Sequence, residues 1–184
     1  MKVSISDTLN AIVNYAREEA MRTGSYMIRT DHLFLGILRH EENLAAAHMR
    51  FLGIDLADLK DFIDSKISEG RHIPYSDIDS ITLSRSTTNI INIAVFEATK
   101  SGCSVVGPQH LLLALSKAMA SYGTMYLREH GSTNNGKFFV CYKFHNSYVF
   151  KLCIKVYSQS LFFLQCKDRK VISEKRIFTL VNIG

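Results

Sequence analysis

The chain has 184 residues, 47% of them hydrophobic and 21% charged, with 2 Pro and 10 Gly. That balance gives one ordinary domain, or one domain with an appendage, and excludes wholesale disorder, collagen and low-complexity sequence. The formal net charge of +5 would, taken alone, hint at nucleic acid or an anionic membrane surface.

The first element is an amphipathic helix. Leu9, Ile12, Val13, Ala16 and Ala20 recur at helical spacing on one stripe, and Arg17, Glu18, Glu19 and Arg22 fill the opposite, solvated face. Gly24 supplies a C-terminal stop. A second helix carries Leu33, Phe34, Ile37 and Leu38, with Thr30 as its N-cap and Asp31 in its first turn. Asn43 caps a third helix that runs to Leu52-Gly53. Asp55 caps a fourth, with Leu56, Leu59, Phe62, Ile63 and Ile67 on its apolar side. Residues 70–83, with Gly70 and Pro74, read as a linker. A helix capped by Ser84 or Ser86 then runs to about Ser101. Another starts at Pro108, a residue favoured where the missing N–H has no intrahelical partner. A further helix ends near His130-Gly131.

A shift of 78 residues superposes the two halves of this body. Ile12 falls on Ile90, Ala16 on Ala94, Ala20 on Ala98, Gly24 on Gly102, His32 on His110, Leu33 on Leu111, Leu35 on Leu113 and Gly53 on Gly131. The offset never slips, which marks one supersecondary unit duplicated and diverged. Repeat one covers about 5–69 and repeat two 84–131, within a body of 1–133. Where the fourth helix of repeat two should follow, Ser132-Thr133-Asn134-Asn135-Gly136 stands instead.

These residues resemble the amino-terminal Clp repeat domain of the Clp ATPases, and in particular that of ClpC-type subunits of the ATP-dependent Clp protease. The carrying segments are Tyr15-Ala16-Arg17-Glu18-Glu19-Ala20, Thr30-Asp31-His32-Leu33-Phe34-Leu35-Gly36-Ile37-Leu38 and Leu52-Gly53-Ile54-Asp55. In the second repeat they are Leu83-Ser84-Arg85-Ser86 and Gly107-Pro108-Gln109-His110-Leu111-Leu112-Leu113-Ala114-Leu115. The resemblance implies a mainly α fold of two pseudo-symmetric four-helix repeats, the second incomplete. It also implies a non-catalytic docking role, receiving adaptor or substrate proteins for a Clp unfoldase or protease. In the ClpC-type pattern the acid before the motif His contributes to a phosphoarginine pocket. The matching positions are Asp31, a shorter acid, and Gln109, which has no charge. General adaptor docking is therefore the favoured expectation over phosphoarginine recognition. The expected docking surface is a groove between the two units, with Tyr26, Met27 and Asp31 near the first motif and Val105 and Gln109 near the second.

Other chemistry finds little support. Gly131-Ser132-Thr133-Asn134-Asn135-Gly136-Lys137 matches most of a phosphate-binding G-x-x-x-x-G-K loop. Phe138 stands where Ser or Thr should hold magnesium, and a helix precedes it where a strand is required. The match reads as accidental, and no ATPase module is recognisable elsewhere in the chain. His32, His40 and His48 lie eight residues apart with a break near Glu41-Glu42-Asn43. His32 reads as a packed helix-start residue bonding a backbone carbonyl, not a metal ligand. Cys103 has no His neighbour in sequence, and the methionines read as core or groove filler. No cofactor or metal is expected. The start of the chain lacks a signal-peptide apolar run and no apolar run is long enough for a bilayer, so the expectation is a cytoplasmic protein without a membrane partner.

The net charge divides unevenly. Residues 1–133 hold 13 basic and 15 acidic residues; residues 134–184 hold 9 basic and 2 acidic. The latter segment also carries 10 of the 19 Phe and Tyr and no Ala. Phe150, Leu152, Ile154 and Val156 alternate with Lys151, Cys153 and Lys155, as in a small β-meander. A cationic aromatic surface of that kind is the alternative reading, a nucleic-acid-binding protein. The favoured reading is a frame-disrupted tail on a truncated or remnant Clp subunit, with nucleic acid disfavoured as a partner.

Overall fold

Helices build the fold, and short parallel strand pairs tie its halves together. The computed structural model describes residues 3–40, 42–118 and 120–130. In chain order the elements are β1 (Ser4–Ile5), α1 (Asp7–Thr23), β2 (Met27–Ile28), α2 (Thr30–Arg39), α3 (Leu44–Phe51), α4 (Leu56–Ile67), a 3-10 turn (Tyr75–Ser80), β3 (Thr82–Leu83), α5 (Arg85–Lys100), β4 (Val105–Val106), α6 (Pro108–Leu115) and α7 (Tyr122–His130). The 78-residue offset runs through this list. β1 matches β3, α1 matches α5, β2 matches β4, α2 matches α6 and α3 matches α7. The position equivalent to α4 falls after residue 130, outside the described residues, as do the phosphate-loop match at 131–137 and all of 134–184.

The helix ends follow the chain's local chemistry. The Ser6, Asn43, Asp55 and Ser84 side chains accept backbone N–H groups of Leu9, Ala46, Ala57 and Thr87, so each caps its helix. Gly24 ends α1 at φ 87°, a left-handed conformation that glycine adopts without a Cβ penalty. The start of α2 differs from expectation by one residue. Arg29, not Thr30, is the N-cap. Its own side chain makes no capping bond, and His32 performs that work from inside the first turn.

Within each repeat the first two helices form a tight antiparallel pair. Ile12, Ala16 and Ala20 of α1 are buried against Leu33, Phe34 and Ile37 of α2. The helices touch at Gly36, where an added Cβ would lie 2.4 Å from the Ile12 carbonyl oxygen. Ile90, Ala94 and Ala98 of α5 bury the same stripe against α6. Across the repeats α4 packs on α7 and α3 on α6. One continuous core results, with Phe34, Met49, Leu59, Ile63, Leu111, Leu115 and Leu127 fully enclosed.

The strands were not expected from sequence. β1 of repeat one pairs in parallel with β4 of repeat two, and β2 of repeat one pairs with β3 of repeat two. Ser4 N–H donates to the Ser104 carbonyl (3.0 Å) and Ser6 N–H to that of Val106 (3.0 Å). Thr82 N–H donates to Tyr26 (3.2 Å) and Ser84 N–H to Ile28 (3.1 Å). The second set is the first moved by the repeat, so the two sheets are related by the pseudo-two-fold axis. Each strand has two residues, too short for any period-2 pattern to register.

Candidate functional site

The strand bridges also set the outer surface. Ile28 and Val106 point into the core, while Met27 and Val105, one residue earlier, remain exposed. Ile5 and Leu83 on the partner strands are exposed as well. Each bridge therefore leaves two apolar residues exposed, Met27 and Leu83 on one and Ile5 and Val105 on the other, at diagonal positions, since the register sets Met27 opposite Thr82 and Ile5 opposite Val106. Tyr26 stands next to the first pair, half exposed, its hydroxyl donating to Asp77 at 3.3 Å. Tyr26, Met27 and Val105 were expected from the sequence. Ile5 and Leu83 were missed, although the repeat offset places Ile5 on Leu83 as it places Met27 on Val105.

Beside Tyr26 and Met27 lies a shallow groove of about 310 Å³. One wall is Gly24, Ser25, Tyr26 and Met27; the other is Glu69, Arg71, His72 and Ile73. The walls can approach because Gly24 has no side chain. A Cβ there would meet the Arg71 carbonyl oxygen at 2.7 Å. Main-chain bonds hold the second wall in place: Glu69 N–H donates to Thr23 (3.0 Å) and Ile73 N–H to Met21 (3.2 Å). Charge gathers at one end. The guanidiniums of Arg29 and Arg71 both approach the Glu69 carboxylate, at 3.3 and 3.7 Å.

Asp31 is not on this surface. Its side chain is buried 6% exposed, and one carboxylate oxygen accepts the Ser121 hydroxyl (2.8 Å) and the Gly123 N–H (2.9 Å) at the start of α7. An acid in the first turn of one helix thus serves the N-terminus of a helix in the other repeat. Burial raises its pKa above the ordinary aspartate value, and the Gly123 and Ser121 donors partly offset that rise. Gln109, the pseudo-symmetric position, is half-buried, with its carbonyl oxygen enclosed and without a hydrogen bond. There α3 is capped by its own Asn43 instead. The structure therefore brings Tyr26 and Met27 together, sets Val105 on the other bridge, and places Asp31 beneath the surface.

His32 Nδ1 accepts the Arg29 N–H at 2.9 Å. The Nε2–H then donates to the Thr23 hydroxyl (3.0 Å), which passes its own proton to the Glu19 carbonyl (2.9 Å). Burial, reinforced by nearby Arg29, holds the His32 pKa down to about 4, so the ring is neutral. His110 repeats the first bond, accepting the Gly107 N–H at 3.0 Å. Both histidines are helix-start fixtures.

Glu19 corrects another expectation. It is buried, not solvated, and pairs with Arg22 (2.7 Å) and Arg39 (3.4 Å). Its repeat mate Glu97 is buried too and pairs with Lys117, the mate of Arg39. Among the described residues no group of three or more His, Cys, Asp or Glu is placed to hold a metal ion, and no helix is long and apolar enough to cross a membrane.

Comparison with known proteins agrees with this architecture. Residues 4–130 match the family described as the Clp repeat (R) N-terminal domain. The chain is 32% identical over 104 residues to the negative regulator of genetic competence ClpC/MecB of Bacillus subtilis, and 30% identical over 104 residues to the chaperone protein ClpB of Oceanobacillus iheyensis. Each match covers 56% of this chain and 12% of the relative, so the chain spans about an eighth of the length of these relatives. Two solved structures share the fold. The N-terminal domain of the chaperone ClpD from Arabidopsis thaliana superposes with a TM-score of 0.54 at 18% identity, covering 69% of this chain and 84% of that one. A chain described under preliminary structural investigations of a malarial protein secretion system superposes with a TM-score of 0.63 at 19% identity, covering 79% and 98%. With its duplicated helical unit, paired motif histidines and matched residues 4–130, the chain belongs to the Clp repeat N-terminal domain family.

Proposed function

We propose that this domain is a non-catalytic docking module, receiving adaptor or substrate proteins for a Clp unfoldase or protease. The observation that carries the reading is the apolar surface at the strand bridges, where Tyr26 and Met27 stand exposed on the wall of a groove and Leu83 is exposed on the adjoining strand. Exposed apolar side chains on a polar-rimmed cleft are the usual anchors of protein recognition. In this reading Tyr26 and Met27 make the first contact and Val105 with Ile5 a second. Asp31 supports the start of α7 beneath them. The relatives' names supply the setting: they are Clp proteins, ClpB among them named a chaperone, and the matching family is described as an N-terminal domain.

The test is saturable binding of a reduced, alkylated unfolded protein to the full chain, followed by fluorescence anisotropy. Tyr26→Ala with Met27→Ser should weaken it about tenfold, the effect of losing one or two apolar anchors. An unchanged affinity would remove this surface from the docking reading.

A further inference from the structure

We infer that the groove between Tyr26 and Ile73 selects extended segments of partner proteins in which an apolar side chain is followed by a carboxylate. This deepens the docking reading above and rests on it. Two features of the groove combine. Its apolar part is the exposed Tyr26 ring and Met27 side chain, with the buried Ile73 on the opposite wall. Its charged end is unbalanced, because Arg29 and Arg71 share the single carboxylate of Glu69.

The two guanidiniums are not equivalent. Arg29 also donates to the Ile67 carbonyl (3.5 Å) and is held against the end of α4. Arg71 reaches Glu69 only at 3.7 Å, and its side chain is 81% exposed. Its guanidinium therefore keeps a planar donor fork for an incoming carboxylate, which it binds with two parallel bonds where Lys could offer only a point charge. His72 lies alongside on the same wall. The acid facing the other side of Tyr26, Asp77, is already engaged by the Tyr26 and Ser76 hydroxyls. A basic residue on the partner would meet Arg71 and pay like-charge repulsion, so the same end that attracts acids rejects bases.

The experiment uses the full chain and three fluorescein-labelled peptides of about eight residues, alternating Leu with Asp, with Asn or with Lys. The Leu–Asp peptide should bind about fivefold more tightly than the Leu–Asn peptide at low salt, the gain of one exposed charge-assisted pair, and the Leu–Lys peptide more weakly than either. The preference should shrink at about 500 mM NaCl, where the Debye length falls to a few ångströms. Arg71→Glu, at an exposed position whose variant is checked for an unchanged melting temperature, should invert the order of the Asp and Lys peptides. Equal binding of Asp and Asn peptides overturns the inference. So does a preference insensitive to both Arg71→Glu and Tyr26→Ala, which would place the acidic peptide on the cationic segment 134–184. Loss of unfolded-protein binding in the Tyr26 and Met27 variants, together with indifference to Arg71→Glu, would leave the docking reading standing while this selectivity fails.

Discussion

Asp31 and His32 are adjacent, both buried, and burial drives their titrations in opposite senses. For His32 the folded pKa of about 4 lies below the ordinary value of 6.5. The unfolded chain therefore takes up the proton first as pH falls. The stability associated with a neutral His32 is complete above about pH 6.5 and is lost as pH drops toward 4, up to about 3 kcal/mol in all. Asp31 has a raised folded pKa. Its contribution is present below the unfolded aspartate pKa and is lost as pH rises through the folded value. Urea denaturation of the wild type and of His32→Gln, measured from pH 4 to 7, separates the two. Because Asp31 titrates in both proteins, the difference between the profiles isolates the imidazole, and it should narrow steadily as pH falls. A constant difference across this range would mean His32 is not held neutral by burial. The sequence showed His32 as part of a repeated motif and Asp31 only as a first-turn acid. An acid in a first turn reads as serving its own helix, and only the packing of α7 over α2 shows that Asp31 serves another.

At the scale of the helices, the α1–α2 and α5–α6 pairs use the same contact with different residues. Gly36 of α2 has Ala114 as its mate in α6, so the second pair accommodates a methyl group that the first excludes. Gly36→Ala would force its Cβ against the Ile12 carbonyl and part the helices. The expected loss is about 1–3 kcal/mol despite alanine's better helix propensity, read as a lowered melting temperature in calorimetry. A stabilised variant would mean that α1 and α2 can separate at little cost. Helix positions, the apolar stripes and the caps Gly24, Asn43, Asp55 and Ser84 were legible in the sequence, because period and capping chemistry are local; Ser6 was not read. The Glu19 and Glu97 pairs were legible only in part. Glu19 lies three residues past Ala16 and seven past Ile12, squarely on the buried stripe, and its charge concealed this. Its partner Arg39 sits on the next helix, so nothing local announces the pair that permits the burial. The groove lies between residues 24–27 and 69–73, not between the two units where one was expected, and only one wall of it was legible. Tyr26 and Met27 adjoin a motif, whereas Arg71 and Ile73 come from a segment that reads as linker.

For the whole molecule, the strand pairs make the repeats interdependent. Repeat one holds no partner for β1 or β2 within itself, and Asp31 reaches its donors only in repeat two. A fragment of residues 1–81 should therefore lack fixed tertiary packing, seen as weak near-ultraviolet dichroism and collapsed amide-proton dispersion. Mixing it with residues 82–184 should restore both signals in a concentration-dependent way. Independent folding of residues 1–81 would show that the bridges are accessory. In the intact chain, residues 68–81 tether the halves, which supplies an effective concentration on the order of millimolar. Two separate copies of such a unit would meet by collision and part on dilution. Joined in one chain they cannot be diluted away from each other, so the exposed bridge surface stays assembled even at the lowest protein abundance.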